Sequence, residues 1–162
     1  MSAAVPFAIT QPDRVPKERY FHPDFYALEA EQLWPRVWQM ACRLEEIPSP
    51  GDFVEYEFLD QSIVVVRTDD GGVTAFQNAC RHRGVKVVEG RGTCGDRGFR
   101  CPFHGWCYGA DGANTAVTQR RGFAEHNLVP EDLDLVPVRC EIWGGCACRV
   151  APAGRTARGA RP

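Results

Sequence analysis

Two short segments of this sequence pair a cysteine with a histidine at spacings that suit metal ligation. The first is Cys80-x-His82 and the second is Cys101-x-x-His104, with eighteen residues between them. Within a tight turn, either spacing lets both side chains converge on one point. Two thiolates and two imidazoles can hold a zinc ion in a tetrahedral site. They can also hold a 2Fe–2S cluster, with two cysteines on one iron and two histidines on the other.

The residues around each pair favour the cluster over zinc. Gly84 and Gly105 stand just after the histidines, where glycine lets the backbone turn and offer N–H groups to the cluster sulfides. Pro102 stiffens the second loop. A Cys2His2 zinc finger would place two cysteines together and two histidines on a helix. Here the second pair lies in a Pro/Gly loop, although a zinc-stabilised binding module remains an alternative.

The motifs C-x-H-R-G and C-P-F-H-G-W-x-Y resemble the cluster-binding signature of the Rieske family. More closely, residues 20–145 are similar to the N-terminal domain of the α subunit of aromatic-ring-hydroxylating oxygenases. The stretches that support this resemblance are 33–38, 50–52, 76–80, 111–112 and 138–145. The resemblance implies that Cys80 and Cys101 ligate an inner ferric iron, and that His82 and His104 ligate an outer, reducible iron near the surface. Trp106 is expected to shield the cluster, and Tyr108 is a candidate hydrogen-bond donor to a cysteine sulfur.

The resemblance also predicts a function in electron transfer. A cluster with two imidazole ligands has a potential of roughly −150 to +300 mV, suited to accepting single electrons from a reductase or ferredoxin. In an oxygenase the electrons pass to a mononuclear iron in the catalytic domain of the same or a neighbouring subunit. A stand-alone Rieske ferredoxin is the alternative. The helical stretch expected within 23–40 favours the oxygenase, because such ferredoxins usually begin with the β meander.

The mononuclear Fe(II) is expected only in a C-terminal domain that this chain lacks, so we assign no catalytic residue here. Such an iron would need two histidines and a carboxylate. Outside the cluster motifs the sequence has only His22 and His126. Residues 146–162 contain Arg, Ala, Gly and Pro without periodicity, which predicts a disordered tail and suggests a truncated or frame-shifted reading of a longer gene.

The fold is predicted to be mainly β, with small antiparallel sheets, two cluster-binding loops and an N-terminal helical segment. Residues 1–19 are expected to be a flexible lead-in, and 20–145 the Rieske domain. One helix or a pair of short ones is expected within 23–40, with Trp38 packed in the core. Residues 53–58, 62–68 and 73–77 predict a β meander, and 133–142 a final strand.

Composition limits the compartment and the partners. A net charge of −2 gives no basic excess, so neither nucleic acid nor an anionic membrane is an expected partner. The longest aliphatic run, Ile63–Val66, is far short of the ~20 residues that span a bilayer. No secretory signal is evident, which predicts a cytoplasmic protein and favours metal ligation over disulfides for its eight cysteines.

Overall fold

The computed structural model describes residues 5–123 and 128–150. Residues 5–37 belong to one compact unit, and Trp38–Val150 form another. No helix within the described residues is long and apolar enough to cross a membrane.

The N-terminal unit is a short helical segment. A 3₁₀ turn at Lys17–Tyr20 leads into α1 (Pro23–Gln32), and a second 3₁₀ turn follows at Trp34–Arg36. The helix begins where its sequence favours a start, because proline tolerates the first helical position and the His22 ring accepts a hydrogen bond from the Asp24 backbone N–H at 3.3 Å. The prediction of one helix or a pair of short ones is confirmed up to Arg36, in the form of one α-helix and a 3₁₀ turn.

The second unit is built from short antiparallel strands. In chain order its elements are β1 (Trp38–Arg43), β2 (Asp52–Phe58), β3 (Gln61–Arg67), β4 (Val73–Gln77), β5 (Arg91–Thr93), β6 (Phe99–Arg100), β7 (Cys107–Tyr108), β8 (Asn114–Ala116), α2 (Pro130–Leu133), β9 (Cys140–Trp143) and β10 (Cys146–Val150). They form three sheets within the described residues, in the orders β1-β10-β9, β4-β3-β2-β5 and β6-β7-β8. The mainly β prediction is confirmed.

Strand β3 lies at the centre of this unit and contributes to two cores. Its residues Ile63–Val66 are all buried. Since side chains alternate across a strand, Val64 and Val66 pack into a core that also holds Cys80 and Cys101. Ile63 and Val65 pack into a second core on the opposite face. The β2-β3-β4 meander is as predicted, and it supports the ligand-bearing loops from below.

Two predictions at the edges of the fold are wrong. Trp38 is not in a helix or in the core: it begins β1, is 44% exposed and packs against the guanidinium of Arg139 at 4.9 Å from the ring centroid. The strand predicted at 133–142 covers only Cys140–Trp143 and is not the final one, because α2 occupies its first predicted residue and Pro137 allows only an isolated bridge to Phe76.

The predicted disordered tail is also wrong over residues 146–150. These residues form β10, the central strand of the β1-β10-β9 sheet. Gly144 and Gly145 both have positive φ, +57° and +79°, so the chain folds back on β9 as a tight hairpin. Backbone pairing of this kind does not require an apolar side-chain pattern. Residues 151–162 lie outside the described residues.

Glu55 of β2 is a nearly buried carboxylate, with 8% of its side chain exposed. It accepts hydrogen bonds from Lys86 Nζ at 2.8 Å, from Ser62 Oγ at 2.6 Å and from the Gly90 backbone N–H at 2.8 Å. Burial alone would raise the pKa of Glu55, but these hydrogen bonds and the charge of Lys86 outweigh burial and lower the pKa to about 2. The ionised carboxylate therefore stabilises the folded state.

We expect acid to weaken the fold through this group. Because the folded-state pKa of Glu55 is below its usual 4.5, its contribution is complete above pH 4.5 and is lost as the pH falls towards 2. Glu55→Gln should lower the free energy of unfolding at neutral pH by on the order of 2 kcal/mol. Urea unfolding measured across this range should show the wild-type and variant curves converging in acid. Parallel curves would contradict the assignment.

Candidate metal centre

The first ligand loop follows β4 and is closed by two backbone hydrogen bonds. The N–H of Cys80 donates to the carbonyl oxygen of Val85 at 2.8 Å, and the N–H of Gly84 donates to the carbonyl oxygen of Cys80 at 2.8 Å. Gly84 has a φ of +74°, which a residue with a side chain rarely adopts. The loop thus folds back on itself with Cys80 at its base and His82 within it.

The second ligand loop connects β6 to β7 and repeats the same pattern. The N–H of Cys101 donates to the carbonyl oxygen of Trp106 at 2.8 Å, and the N–H of Gly105 donates to that of Cys101 at 3.0 Å. Gly105 has a φ of +72°. In both loops the glycine therefore comes four residues after the cysteine, although the histidine comes two residues after Cys80 and three after Cys101.

The structure brings the four sequence-predicted ligands to one end of the domain. Cys80 and Cys101 are buried, each 3% exposed, in the same core. His82 is half-buried and His104 is exposed, and their ring centroids are 4.6 Å apart. The thiols therefore point inward and the imidazoles lie towards solvent, as the family resemblance implies.

The environment of His82 fits a metal ligand. Its Nδ1 is buried and has no hydrogen-bond partner among the described residues, so its lone pair is free to bind iron. The ring is stacked on Trp106, with centroids 5.0 Å apart and planes 11° apart, and Phe123 meets its edge. Burial lowers the pKa of His82, and nearby His104 and Arg83 lower it further, which favours the neutral imidazole that metals bind.

The donor set also fits a cluster of two irons. Two thiols and two imidazoles are the ligands of a Rieske-type cluster, which takes two protein ligands at each iron. Among the described residues, no three His, Cys, Asp or Glu side chains are arranged to hold a single metal ion. Burial raises the pKa of the Cys80 thiol, and neighbouring Cys101 adds to this rise, so an iron that binds the Cys80 sulfur would stabilise a thiolate that the protein otherwise disfavours.

The Tyr108 hydroxyl contacts a candidate ligand directly, as predicted. Its oxygen is 3.2 Å from Cys80 Sγ and accepts the backbone N–H of Arg81 at 3.0 Å. A metal-bound thiolate has no proton, so the hydroxyl would donate to the sulfur if Cys80 held the cluster. Tyr108 is fully buried, and burial together with the Cys80 hydrogen bond raises its pKa, which keeps the phenol protonated as a donor.

Replacing Tyr108 with phenylalanine should lower the reduction potential of the loaded protein by tens of millivolts. A hydrogen bond to a ligand sulfur stabilises the reduced, more negative state, and Tyr108→Phe removes that bond while keeping the ring in the core. Spectroelectrochemical titration measures the shift. Phe99→Leu, which alters the same core but removes no hydroxyl group, serves as the control. An equal shift in both variants would contradict the specific role.

Other cysteines close in sequence do not join the ligand set. Cys107 donates from Sγ to the Gly105 carbonyl oxygen at 3.4 Å, and Cys94 is a half-buried free thiol beside Gly51.

Sequence reasoning missed Phe123, which packs on His82, because no local pattern links them. It also missed Asn78, whose only signal is its position at the end of an apolar strand, two residues before Cys80. His126 lies outside the described residues.

A comparison with protein families gives one decisive match. The model described as "Rieske [2Fe-2S] domain" matches residues 37–130, more than half of the chain. The chain belongs to the Rieske [2Fe–2S] domain family. Its cofactor is accordingly a Rieske-type 2Fe–2S cluster.

This Rieske domain is similar to oxygenase components. It is 34% identical to choline monooxygenase from Spinacia oleracea over 131 residues, 80% of this chain and 28% of the relative. It is 37% identical to the large subunit of anthranilate 1,2-dioxygenase from Acinetobacter baylyi over 102 residues, 61% of this chain and 21% of the relative. The chain thus spans less than a third of the length of these curated relatives.

A solved structure shows the same fold. Naphthalene 1,2-dioxygenase from Rhodococcus sp., bound to indole, matches 88% of this chain with a TM-score of 0.77 and 27% identity, and the match covers 32% of that chain. The predicted combination of an N-terminal helix and small antiparallel sheets is therefore an arrangement found in oxygenases of this family.

Proposed function

We propose that this Rieske domain is the electron-transfer part of an oxygenase large subunit. In this proposal it takes single electrons from a reductase or ferredoxin. It passes them to a mononuclear iron held by a catalytic domain of the same or a neighbouring subunit. The observation that carries the proposal is the arrangement of buried Cys80 and Cys101 behind the half-buried His82 and exposed His104. Similarity to oxygenase large subunits supports the same reading.

We assign the four ligands by this arrangement. Cys80 and Cys101 would hold the inner iron, and His82 and His104 the outer iron. When bound, such a cluster supplies reversible one-electron transfer at roughly −150 to +300 mV. The protein keeps water from the sulfur side with the core around Trp106, which is 3% exposed. It leaves the imidazole side open to a partner, so electrons need cross only a short distance between the two proteins.

The exposed edge has the character of a docking surface for a negatively charged donor. His104 and its neighbour Phe103, which is 56% exposed, lie in the solvent-facing loop. The exposed Arg81 and Arg83 flank His82 in the first loop. Arg100 lies against the second loop, since a Cβ placed on Gly105 would be 3.1 Å from its guanidinium. This surface has an apolar centre, Phe103, and a basic rim of arginines. Such a surface suits an acidic electron donor in a short-lived complex.

Reversing one charge of this rim should slow electron entry. At low ionic strength, Arg83→Glu should reduce the rate of reduction by an acidic ferredoxin by about tenfold, because electrostatic steering is weakened. The difference should shrink at high salt, where charges are screened. Arg139→Glu changes the net charge equally, but Arg139 is paired with Glu141 beside β9, so it is the matched control. Equal slowing in both variants would contradict docking at this edge.

Spectroscopy of the purified chain tests the proposal as a whole. After anaerobic purification, iron and acid-labile sulfide should be near two each per chain, as a 2Fe–2S cluster requires. Dithionite should produce the low-average-g EPR signal of a histidine-ligated 2Fe–2S centre. Stoichiometric zinc in a colourless protein would overturn electron transfer in favour of a zinc-stabilised module. A reducible cluster that accepts electrons but supports no oxygenase catalytic domain would favour a stand-alone ferredoxin.

We also propose that the domain works in a reducing compartment such as the cytoplasm. Cys80 and Cys101, which must be thiolates to bind iron, are both free thiols, as a reducing compartment would keep them. Cell fractionation with an antibody to the chain would test this placement.

A further inference from the structure

Asn78 is a buried polar residue with an unusual number of hydrogen-bond partners. It follows β4, is 2% exposed and stands two residues before Cys80. Its Nδ2 donates to the Val88 carbonyl oxygen at 2.8 Å, to Ser62 Oγ at 3.0 Å and, more weakly, to Glu55 Oε1 at 3.3 Å. Its Oδ1 accepts the backbone N–H groups of Val87 at 2.9 Å and Val88 at 3.1 Å.

These bonds join the two ends of the first ligand loop. Asn78 precedes the loop and Val87 and Val88 follow it, so one side chain fixes the distance between the two ends. Both candidate ligands, Cys80 and His82, lie between those ends. The contacts to Ser62 and Glu55 in turn attach the loop to the β2-β3 hairpin. A second bridge comes from Lys86, which pairs with Glu55 and Glu57 of β2.

We propose that Asn78 is a positioning residue that preforms the first ligand loop. It holds Cys80 and His82 in their binding geometry whether or not the cluster is bound. This inference rests on the proposed ligand assignment. Only a carboxamide can serve here, because Oδ1 must accept two backbone N–H groups while Nδ2 donates to a carbonyl and to side-chain oxygens. Buried groups that lose such partners are costly, so the closed loop is strongly favoured over open ones.

The first test is amide hydrogen exchange in the cluster-free protein. In Asn78→Ala, the Val87 and Val88 amides should exchange at least about tenfold faster, since they lose their acceptor. Val65→Ala is the matched control, because it removes buried carbons from the other core rather than from the one that holds Cys80. Unchanged protection of both amides in Asn78→Ala, or the same loss in Val65→Ala, would overturn the proposal.

The second test measures the EPR spectrum and the cluster content of the cluster-loaded protein. Asn78→Ala should broaden the EPR lines of the reduced cluster and lower cluster retention, because the ligands sample several geometries. Val65→Ala should keep the wild-type line shape even where it lowers stability. Wild-type line shape and retention in Asn78→Ala would overturn the positioning role.

A paired substitution covers the case in which Asn78→Ala does not fold. Asn78→Asp places a second carboxylate 3.3 Å from that of Glu55 and removes the donor, so it should lose cluster and amide protection. Adding Glu55→Gln removes the repulsion between the two carboxylates, while its carboxamide oxygen can still accept from Lys86, and should restore part of both. No recovery in the double variant would overturn the proposal.

Failure of this inference is distinguishable from failure of the proposed function. If Cys80 and His82 are not ligands, Asn78→Ala will still speed exchange at Val87 and Val88, but the wild-type protein itself will show no reduced Rieske signal. If Asn78 does not position the loop, exchange will be unaffected in a protein whose wild-type form still shows the reduced Rieske signal.

Discussion

Cys101→Ser should produce a folded protein that retains about one tenth of the wild-type cluster or less. Soft thiolates select Fe–S clusters, and a serine oxygen is a poor substitute at the inner iron. Cys101 is 3% exposed and its backbone closes the second loop through Trp106. The substitution keeps that backbone, so the loss should lie in iron and sulfide content and in the visible and EPR spectra. Far-UV circular dichroism should stay that of a β protein.

Cys107→Ser is the matched control for this experiment. Cys107 lies six residues further along the same chain segment, and its thiol bonds only to the Gly105 carbonyl oxygen among the described contacts. A serine hydroxyl can make the same hydrogen bond, so the variant should keep its cluster. Cluster loss in both variants would show that any cysteine change in this region unfolds the site. Full retention in Cys101→Ser would remove Cys101 from the ligand set.

The candidate ligands could be named from the sequence because their signals are local. A cysteine and a histidine two or three positions apart, each followed by glycine, specify a loop without reference to the rest of the chain. The same is true of the turn at residues 69–72, which fixes the β3-β4 register from Ile63↔Gln77 to Arg67↔Val73. Tyr108 was also within reach, because it belongs to the second motif.

Features that depend on distant partners were not predictable in this way. Asn78 acquires its role from residues 55, 62, 87 and 88, which are up to 23 positions away. Strand β10 has the composition of a linker, yet backbone pairing on both sides makes it the central strand of its sheet. Trp38 was assigned to the core on its residue type alone, whereas its surroundings on β1 leave it 44% exposed. In each case tertiary contacts override local preference.

The repeated loop pattern explains how unequal spacings give one site. Each loop is anchored by a bond from the cysteine N–H to a carbonyl five residues on, and by a glycine four residues on. The cysteines and glycines are therefore equivalent, and only the histidine moves by one position. This shift is accompanied by different surroundings, since His82 is stacked on Trp106 while His104 lies beside the exposed Phe103. The two imidazoles are thus held by similar backbones in unlike environments.

The Gly98 backbone lies close to the Tyr108 carbonyl group next to the second ligand loop. Adding a single methyl group at Gly98 should therefore destabilise the protein strongly. Gly98 precedes β6 and has φ +66° and ψ −152°, a region essentially restricted to glycine. A Cβ there would overlap the Tyr108 carbonyl oxygen and lie 3.0 Å from its carbon. Gly98→Ala must therefore separate β6, which leads directly into Cys101, from β7, which contains Tyr108. We expect the free energy of unfolding to fall by about 3–5 kcal/mol, with loss of most of the cluster.

Gly90→Ala separates the conformational cost from the steric one. Gly90 has the same φ of +66°, but a Cβ there would meet nothing within 4 Å. Its substitution should cost only about 1–2 kcal/mol, the cost of placing a side chain in a left-handed conformation, and should leave the cluster in place. Urea unfolding of both cluster-free variants, with iron analysis of the loaded ones, measures the difference. Equal destabilisation would show that strain at positive φ, rather than the close packing of β6 on β7, accounts for the requirement for glycine.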